Sequence, residues 1–435
     1  MTRTLVLGSG VSGVAAARLA RRLGHSVTVY DQRPDSLLEL MMEGFGTIGG
    51  KWDPLNLDGV DLVVTSPGIP ERERPIVETL ESGVTLWSEI ELAWRHLSPG
   101  VKVIAITGTN GKTTVTDLIS RMLTTSGLNA PAVGNIGTPL ADVADTSIDA
   151  AVIEVSSFQL HYSERFRPDV AVVTNVAPDH LDWHGSFDRY LEAKARIVTN
   201  QQDGDLLVYA GDDPGAVRLA DRAPARRVSV TRDGVSGDGY GIDRDTGRLV
   251  CGSIVFDLAE LRVADDAFLL DIALASAAAV AGGAAPGAVE DVARSFEPGA
   301  HRRQVIATIG GVTYVNDSKA TNPHAALAAI RSYPSVILIA GGQAKGLDIG
   351  PLAVEPNVKS VVAIGESADV LLANAGPRGS KASSMEEAVR MATEAAAPGD
   401  VVLLAPACAS FDMFDDYKHR GEVFSAIVTR EGGAL

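Results

Sequence analysis

The residues best equipped for chemistry lie in a few short stretches. In VIAITGTNGKTTVTDLI an apolar run opens at Gly108, Thr109, Asn110, Gly111, Lys112, Thr113 and Thr114 into helix-like sequence. Backbone N–H groups at a helix N-terminus attract anions, glycine lets the chain approach a phosphate, and lysine adds a point charge. Thr113 stands where a P-loop hydroxyl ligates Mg²⁺. Ile106 replaces the first glycine of the full P-loop pattern, so an ordinary turn with a surface lysine is the competing reading. In DAAVIEVSSFQL a single carboxylate, Glu154, sits inside a strand-like apolar run. An unpaired buried carboxylate is costly or takes up a proton. Either it faces the Mg²⁺ of a nucleotide on a neighbouring strand, or it pairs with Lys or Arg across the sheet.

Further candidates follow other apolar runs. VAVVTNVAPDHLDWHG places Asn175, Asp179, His180, Asp182 and His184 after a strand, where α/β sheets hold their ligands. Lys194 belongs to a helix starting near Phe187 and by itself reads as a solvated lysine. The opening GSGVSG, with Asp31 after the next strand, matches a dinucleotide fingerprint and suits NAD or another nucleotide diphosphate equally. NDSKATN, PACASFD and IAGGQAKGLD bring Asp317, Lys319, Thr321, Ser410 and Lys345 to strand ends. Asp317 and Ser410 could equally be helix N-caps.

The elements that must position these residues recur three times. An apolar run, a glycine turn and helical sequence follow one another near residues 4, 101 and 335. That is the unit of parallel α/β sheets. Pro99-Gly100 and Pro298-Gly299 mark breaks, giving expected domains at 1–97, 98–297 and 298–435. A Gly- and Asp-rich stretch near 231–256 reads as hairpins, and the Ala-rich segment near 266–281 as a helix.

Composition narrows the class. The chain has 435 residues, 46% hydrophobic and 21% charged, which fits a multidomain globular enzyme. A net charge of −17 argues against general nucleic-acid binding. No run reaches the roughly 20 apolar residues of a spanning helix, no secretory signal is recognisable, and two cysteines make no disulfide framework. A cytoplasmic protein with no membrane partner is the expectation.

Taken in order, GTNGKT, EVSSFQL, NVAPDHLDWHG, EAKARI, HRRQVI, NDSKATN and PACASFD resemble the motifs of the Mur ligases over essentially the whole chain. The resemblance implies three α/β domains: Rossmann-like, P-loop ATPase-like and Rossmann-like. It is nearest the branch that joins D-glutamate to UDP-N-acetylmuramoyl-L-alanine in peptidoglycan precursor synthesis, using ATP and forming an acyl phosphate. It makes Lys112 a phosphate ligand and Thr113 and Glu154 ligands of a first Mg²⁺. His180 would serve a second Mg²⁺, with Lys194 carbamylated beside the metals. It assigns Arg302 and Asp317 to ATP, with Lys319 bordering the nucleotide. Ser12, Asp31, Gln32, Arg33, Gly68 and Asn135 fall to the UDP-sugar. Lys319, Thr321, Lys345, Ser410 and Tyr417 fall to D-glutamate. Relatives carry an Asn-x-x-Asn pair on the adenine helix, which DAFLLDIALASAAAV lacks, and Tyr417 stands where they have Phe. No DNPR-type motif of the diaminopimelate-adding relatives occurs. A monomer is expected. An NAD-dependent oxidoreductase would explain only GSGVSG and Asp31, and a non-catalytic nucleotide-binding module would leave His180 and Lys194 without a role.

Overall fold

The computed structural model describes residues 1–432, so the last three residues of the expected third domain lie outside it. The chain forms two compact units: Met1–Val176 with Asp188–Phe296, and Ala177–Phe187 with Glu297–Leu435.

The first unit holds three sheets. β1 (Arg3–Leu7), β2 (Ser26–Asp31), β3 (Gly46–Gly49), β4 (Leu62–Thr65) and β5 (Thr85–Ser88) are parallel, in the order β3-β2-β1-β4-β5. Crossing from β1 to β2 on one side and to β4 on the other makes the carboxyl end of β1 a switch point, where such sheets bind ligands. β6 (Lys102–Thr107), β7 (Ala132–Gly134), β8 (Ala150–Glu154), β9 (Val170–Val173), β10 (Leu206–Ala210) and β11 (Arg226–Val230) form a second parallel sheet, β11-β10-β9-β6-β8-β7. Its central strands β6, β8 and β9 are almost wholly buried because helices cover both faces, hence their unbroken apolar runs. The Gly- and Asp-rich stretch folds as expected into hairpins: β12 (Gly234–Val235), β13 (Tyr240–Asp243), β14 (Arg248–Cys251) and β15 (Ile254–Asp257) make a separate antiparallel sheet. The Ala-rich segment is the helix Asp266–Ala281, buried over most of its length and packed on the helix Lys112–Thr125.

Two carboxylates in SEIEL join the first sheet to the second. Glu91 accepts from the backbone N–H groups of Glu164 (3.0 Å), Arg165 (3.0 Å) and Phe166 (2.9 Å). Glu89 accepts from the N–H of Ala141 at 2.6 Å, while its other oxygen is buried without a partner. Burial pushes the Glu89 carboxyl up to about 7.

The second unit contains one sheet. β16 (Gln304–Ile309), β17 (Val312–Asn316), β18 (Val336–Gly341), β19 (Val358–Ile364), β20 (Gly379–Lys381) and β21 (Val401–Leu404) run β16-β17-β21-β18-β19-β20. Only the β16–β17 pair is antiparallel. Alternate residues of β18, Ile337 and Ile339 against Leu338 and Ala340, fill separate apolar cores on the two faces.

Candidate functional site

β8 lies beside β6, with Glu154 in register with Ile106, so the carboxylate stands next to the strand that feeds the Gly-rich turn. Glu154 is 3% exposed. One oxygen accepts from the Asn135 side-chain amide at 2.8 Å, and the other is buried with no hydrogen-bond partner. No Lys or Arg pairs with it among the described ion pairs, so the cross-sheet salt bridge is not what is found. An orphaned carboxylate oxygen fits a hard cation that takes one or two carboxylates and draws its other ligands from phosphate and water. Among the described residues no group of three or more His, Cys, Asp or Glu is placed to hold a metal ion.

The turn itself is built by close backbone approach. A Cβ on Gly108 would lie 1.9 Å from the Thr174 hydroxyl, and Gly111 has φ +83° as it opens the helix Lys112–Thr125. Asn175 braces the turn from the next strand end. Its carbonyl accepts from Thr109 N–H (2.8 Å), its side-chain oxygen accepts from Asn110 N–H (2.9 Å), and its amide donates to the Asn110 carbonyl (3.0 Å). Lys112 folds back so that Nζ donates to the carbonyls of Gly108 (3.0 Å) and Thr109 (2.9 Å). Thr113 and Thr114 follow in the first turn of that helix.

Lys194 is 1% exposed, which overturns its reading as a solvated helix lysine. Its Nζ donates to the Gly108 carbonyl at 2.7 Å and lies 4.7 Å from the centre of the Tyr190 ring, whose hydroxyl is 3.0 Å from that of Thr109. Lys112, Thr113, Glu154 and Lys194 thus converge on the carboxyl end of β6.

At the end of β1 the glycines have steric reasons. A Cβ on Gly13 would sit 1.9 Å from the Gly8 carbonyl oxygen. Asp31 accepts from the backbone N–H and hydroxyl of Ser9 (2.9 and 2.8 Å) and from Arg33 N–H (2.9 Å). Burial works against its charge, but the hydrogen bonds from Arg33 and Ser9 outweigh it and hold the carboxyl below its usual range. Ser12, Gln32 and Gly68 flank the same sheet end, and Arg33 is largely exposed.

In the second unit the remaining candidates meet by side-chain pairing. Asp179 is 5% exposed and accepts from Lys345 Nζ (3.0 Å), the Asn322 amide (3.1 Å) and His180 N–H (2.8 Å). Burial opposes its charge, but the charges of His180 and Lys345 with these hydrogen bonds hold it below the usual carboxylate range. Lys319 Nζ lies 3.9 Å from the centre of the Tyr417 ring. Asp317 accepts from Arg303 N–H at 3.2 Å, and the N-cap of the next helix is Asn322, not Asp317. Ser410 is buried, and no helix begins after it until Tyr417, so it too is no N-cap. Gln343 and Ala409 exchange backbone hydrogen bonds (3.0 and 2.9 Å), joining the Lys345 loop to the Ser410 loop. Thr321 and Arg302 are partly exposed on the loops after β17 and before β16. Among the described residues five non-glycine ones have left-handed backbone: His180, His301, Arg303, Lys345 and Ala407. All lie in this unit, beside or among the candidate residues, where strain marks functional loops.

Several residues acquire a role only here. Asn175 and Asp179 stood in a recognised polar loop without a partner in view. Asp271, a buried acid in the middle of the Ala-rich helix, has a carboxylate oxygen 2.6 Å from where a Cβ on Gly111 would sit. That isolation in an apolar segment was a readable signal. Arg303 and Arg420 gave none.

Residues 2–88 match the Mur ligase MurD-like N-terminal domain, 106–247 the Mur ligase middle domain, and 301–408 the Mur ligase glutamate ligase domain. The chain is 39% identical to the UDP-N-acetylmuramoylalanine–D-glutamate ligase of Frankia casuarinae, covering 98% of this chain and 94% of that one. It is 40% identical to the same-named enzyme of Salinibacter ruber, over 98% and 97%. Among solved structures, a pseudomurein peptide ligase type C from Methanothermus fervidus superposes with a TM-score of 0.64 at 19% identity, over 99% and 100% of the two chains. The MurF ligase of Thermotoga maritima gives 0.62 at 17% identity, over 99% of each, and shares the fold. The chain belongs to the Mur ligase family, in its UDP-N-acetylmuramoylalanine–D-glutamate ligase branch.

Proposed function

We propose that the chain joins the amine of D-glutamate to the terminal carboxylate of UDP-N-acetylmuramoyl-L-alanine at the expense of ATP, in peptidoglycan precursor synthesis. The observation that carries this reading is full-length similarity to enzymes of that name, at 39% identity over 98% of the chain. The orphaned Glu154 oxygen beside the P-loop supports it.

The turn Gly108–Thr114 cradles the ATP phosphates with backbone N–H groups, and Lys112, released from its two carbonyls, reaches the β- and γ-phosphates. The substrate carboxylate takes the γ-phosphoryl group and becomes an acyl phosphate. The D-glutamate amine attacks that carbonyl, and the tetrahedral intermediate expels phosphate to leave the amide. Thr113 and Glu154 are assigned to one magnesium, His180 to a second, and Lys194, as a carbamate, to a place beside the metals. Magnesium, when bound, spreads the charge that builds on the transferring phosphoryl oxygens. Asn135 orients Glu154 by donating to its paired oxygen.

Residues 1–97 are assigned to the UDP-sugar through Ser12, Asp31, Gln32, Arg33 and Gly68, with Asn135 contributed by 98–297. Residues 98–297 take ATP, joined by Arg302 and Asp317. Residues 298–435 take D-glutamate through Lys319, Thr321, Lys345, Ser410 and Tyr417. Our reading also makes the protein a cytoplasmic monomer. No helix among the described residues is long and apolar enough to cross a membrane.

The deciding experiment measures phosphate release with ATP, Mg²⁺, the UDP-sugar and D-glutamate, omitting each in turn. Release that needs both acceptor and amino acid is expected. Release indifferent to D-glutamate, or turnover requiring NAD, would sink the reading.

A further inference from the structure

Arg420 lies in the helix Tyr417–Gly432 and is 1% exposed, the largest fully buried side chain described. Nε donates to the Ser318 hydroxyl at 2.9 Å, one terminal nitrogen to the Ser318 carbonyl at 2.8 Å, and the other to the Cys408 carbonyl at 3.1 Å. All three acceptors are neutral, and none of the described ion pairs involves Arg420. Burial pulls the guanidinium down to about 10, so it still carries its charge at neutral pH. Burying a cation is costly, and here three hydrogen bonds and the nearby charge of Asp412 offset part of that cost.

The acceptors identify the use. Ser318 sits one residue before Lys319 and three before Thr321, and Cys408 sits two before Ser410. The same loops meet once more where Ala407, with φ +60°, donates its N–H to the Ala320 carbonyl at 2.9 Å. The guanidinium therefore sets their register, and a fork of fixed donors does this where an ammonium could not. Of the two lysines assigned to the amino acid, Lys345 pairs with Asp179 and Lys319 lies over the Tyr417 ring, so the positions of both depend on the loops that carry them.

We propose that Arg420 is a positioning residue for the amino-acid site. It locks the 317–322 and 405–414 loops together and so fixes the placement of Lys319, Thr321 and Ser410, the residues those loops present to the amino acid. This rests on the reading of the chain as a D-glutamate-adding ligase. The test is steady-state kinetics of the full chain and of Arg420→Lys and Arg420→Met, varying each substrate separately, with thermal melts alongside. Arg420→Met is expected to raise the KM for D-glutamate about tenfold or more, since charge-assisted contacts are lost. The KM values for ATP and UDP-sugar should stay within about twofold, the split that separates positioning from general damage. Arg420→Lys keeps the charge but not the fork and should fall between. If Arg420→Met does not fold, a selective rise in the D-glutamate KM of Arg420→Lys supports the proposal. An unchanged D-glutamate KM in a folded variant, or an equal rise in all three, overturns it. A wild-type enzyme that releases no phosphate in response to D-glutamate overturns the ligase reading and this proposal together. An active wild type beside unaffected variants overturns the proposal alone.

Discussion

The P-loop site of the first unit and the candidate amino-acid loops of the second solve the same problem with different materials. The P-loop is shaped by backbone: Gly108 and Gly111 clear the space, and Asn175 pins the turn through three hydrogen bonds. The loops of the second unit contain His180, His301, Arg303, Lys345 and Ala407 in left-handed backbone that glycine would adopt without strain. They are held instead by side chains, Asp179 to Lys345 and Arg420 to Ser318 and Cys408. A turn shaped by glycines should keep its form when a neighbouring side chain such as Lys112 is removed, even where activity is lost. A site made from paired side chains should not.

The largest expected effect tests the first half of that contrast. Lys112→Ala should lower turnover about a thousandfold, the scale of losing one preorganised charge at a phosphoryl transfer, while the melting temperature hardly moves. Near-normal phosphate release would break the assignment. Lys194→Ala should be nearly as inactive, with partial rescue by a small added carboxylic acid standing in for a carbamate. Lys194→Arg keeps a positive charge but cannot be carbamylated, so an active Arg variant would show that positive charge is what the position requires. Glu154→Gln should weaken magnesium use about 10- to 100-fold and leave UDP-sugar binding close to wild type. Equal losses in calorimetry would refute that separation.

Asp179→Asn probes the side-chain-built site. The paired carboxylate has a lowered pKa, so its stabilisation is present above the ordinary carboxylate value of 3.8 and fades as pH falls through the lowered one. At neutral pH the variant should lose about 2 kcal/mol, since a mostly buried pair is broken while an amide remains. Denaturant melts at pH 7 and pH 3 check both points, and an equal loss at the two values would contradict the pairing. The smallest effect has the opposite sign. Glu89 has a raised pKa of about 7 against 4.5, so the folded state holds an extra proton between those values and loses stability as pH rises through them. Glu89→Gln should flatten that slope and stabilise the protein at pH 8 by on the order of 2 kcal/mol. A melting curve that is no flatter than wild type would show that the burial cost is met by other groups.

The two sites also differ in how much of them could be read beforehand. The P-loop is contiguous, and its strand, glycines, lysine and helix announce one another within a dozen residues. The position of Glu154 beside it followed from the placement of one strand. Lys194 was misread by helical pattern alone, because an amphipathic helix can turn a lysine inward when carbonyls at the end of another strand accept it. The second unit was legible as an α/β sheet but not as a set of contacts. Asp179 meets Lys345 across 166 residues and Arg420 meets Ser318 across 102, and no local periodicity encodes such pairs. The motif order supplied the residues there, and folding supplied their partners.

On the assignments proposed above, the hydrogen bond from Asn135 to Glu154 couples the two ligands. Asn135 is exposed and assigned to the sugar nucleotide, while Glu154 is buried and assigned to the cation. Whatever free energy the sugar nucleotide contributes by reorienting that amide, the cation must return in full when it binds first. Under those assignments the magnesium constant is expected to depend on the sugar nucleotide and the sugar-nucleotide constant on magnesium. The two belong to one square of four equilibria, and titrating either ligand against a fixed amount of the other measures the same coupling.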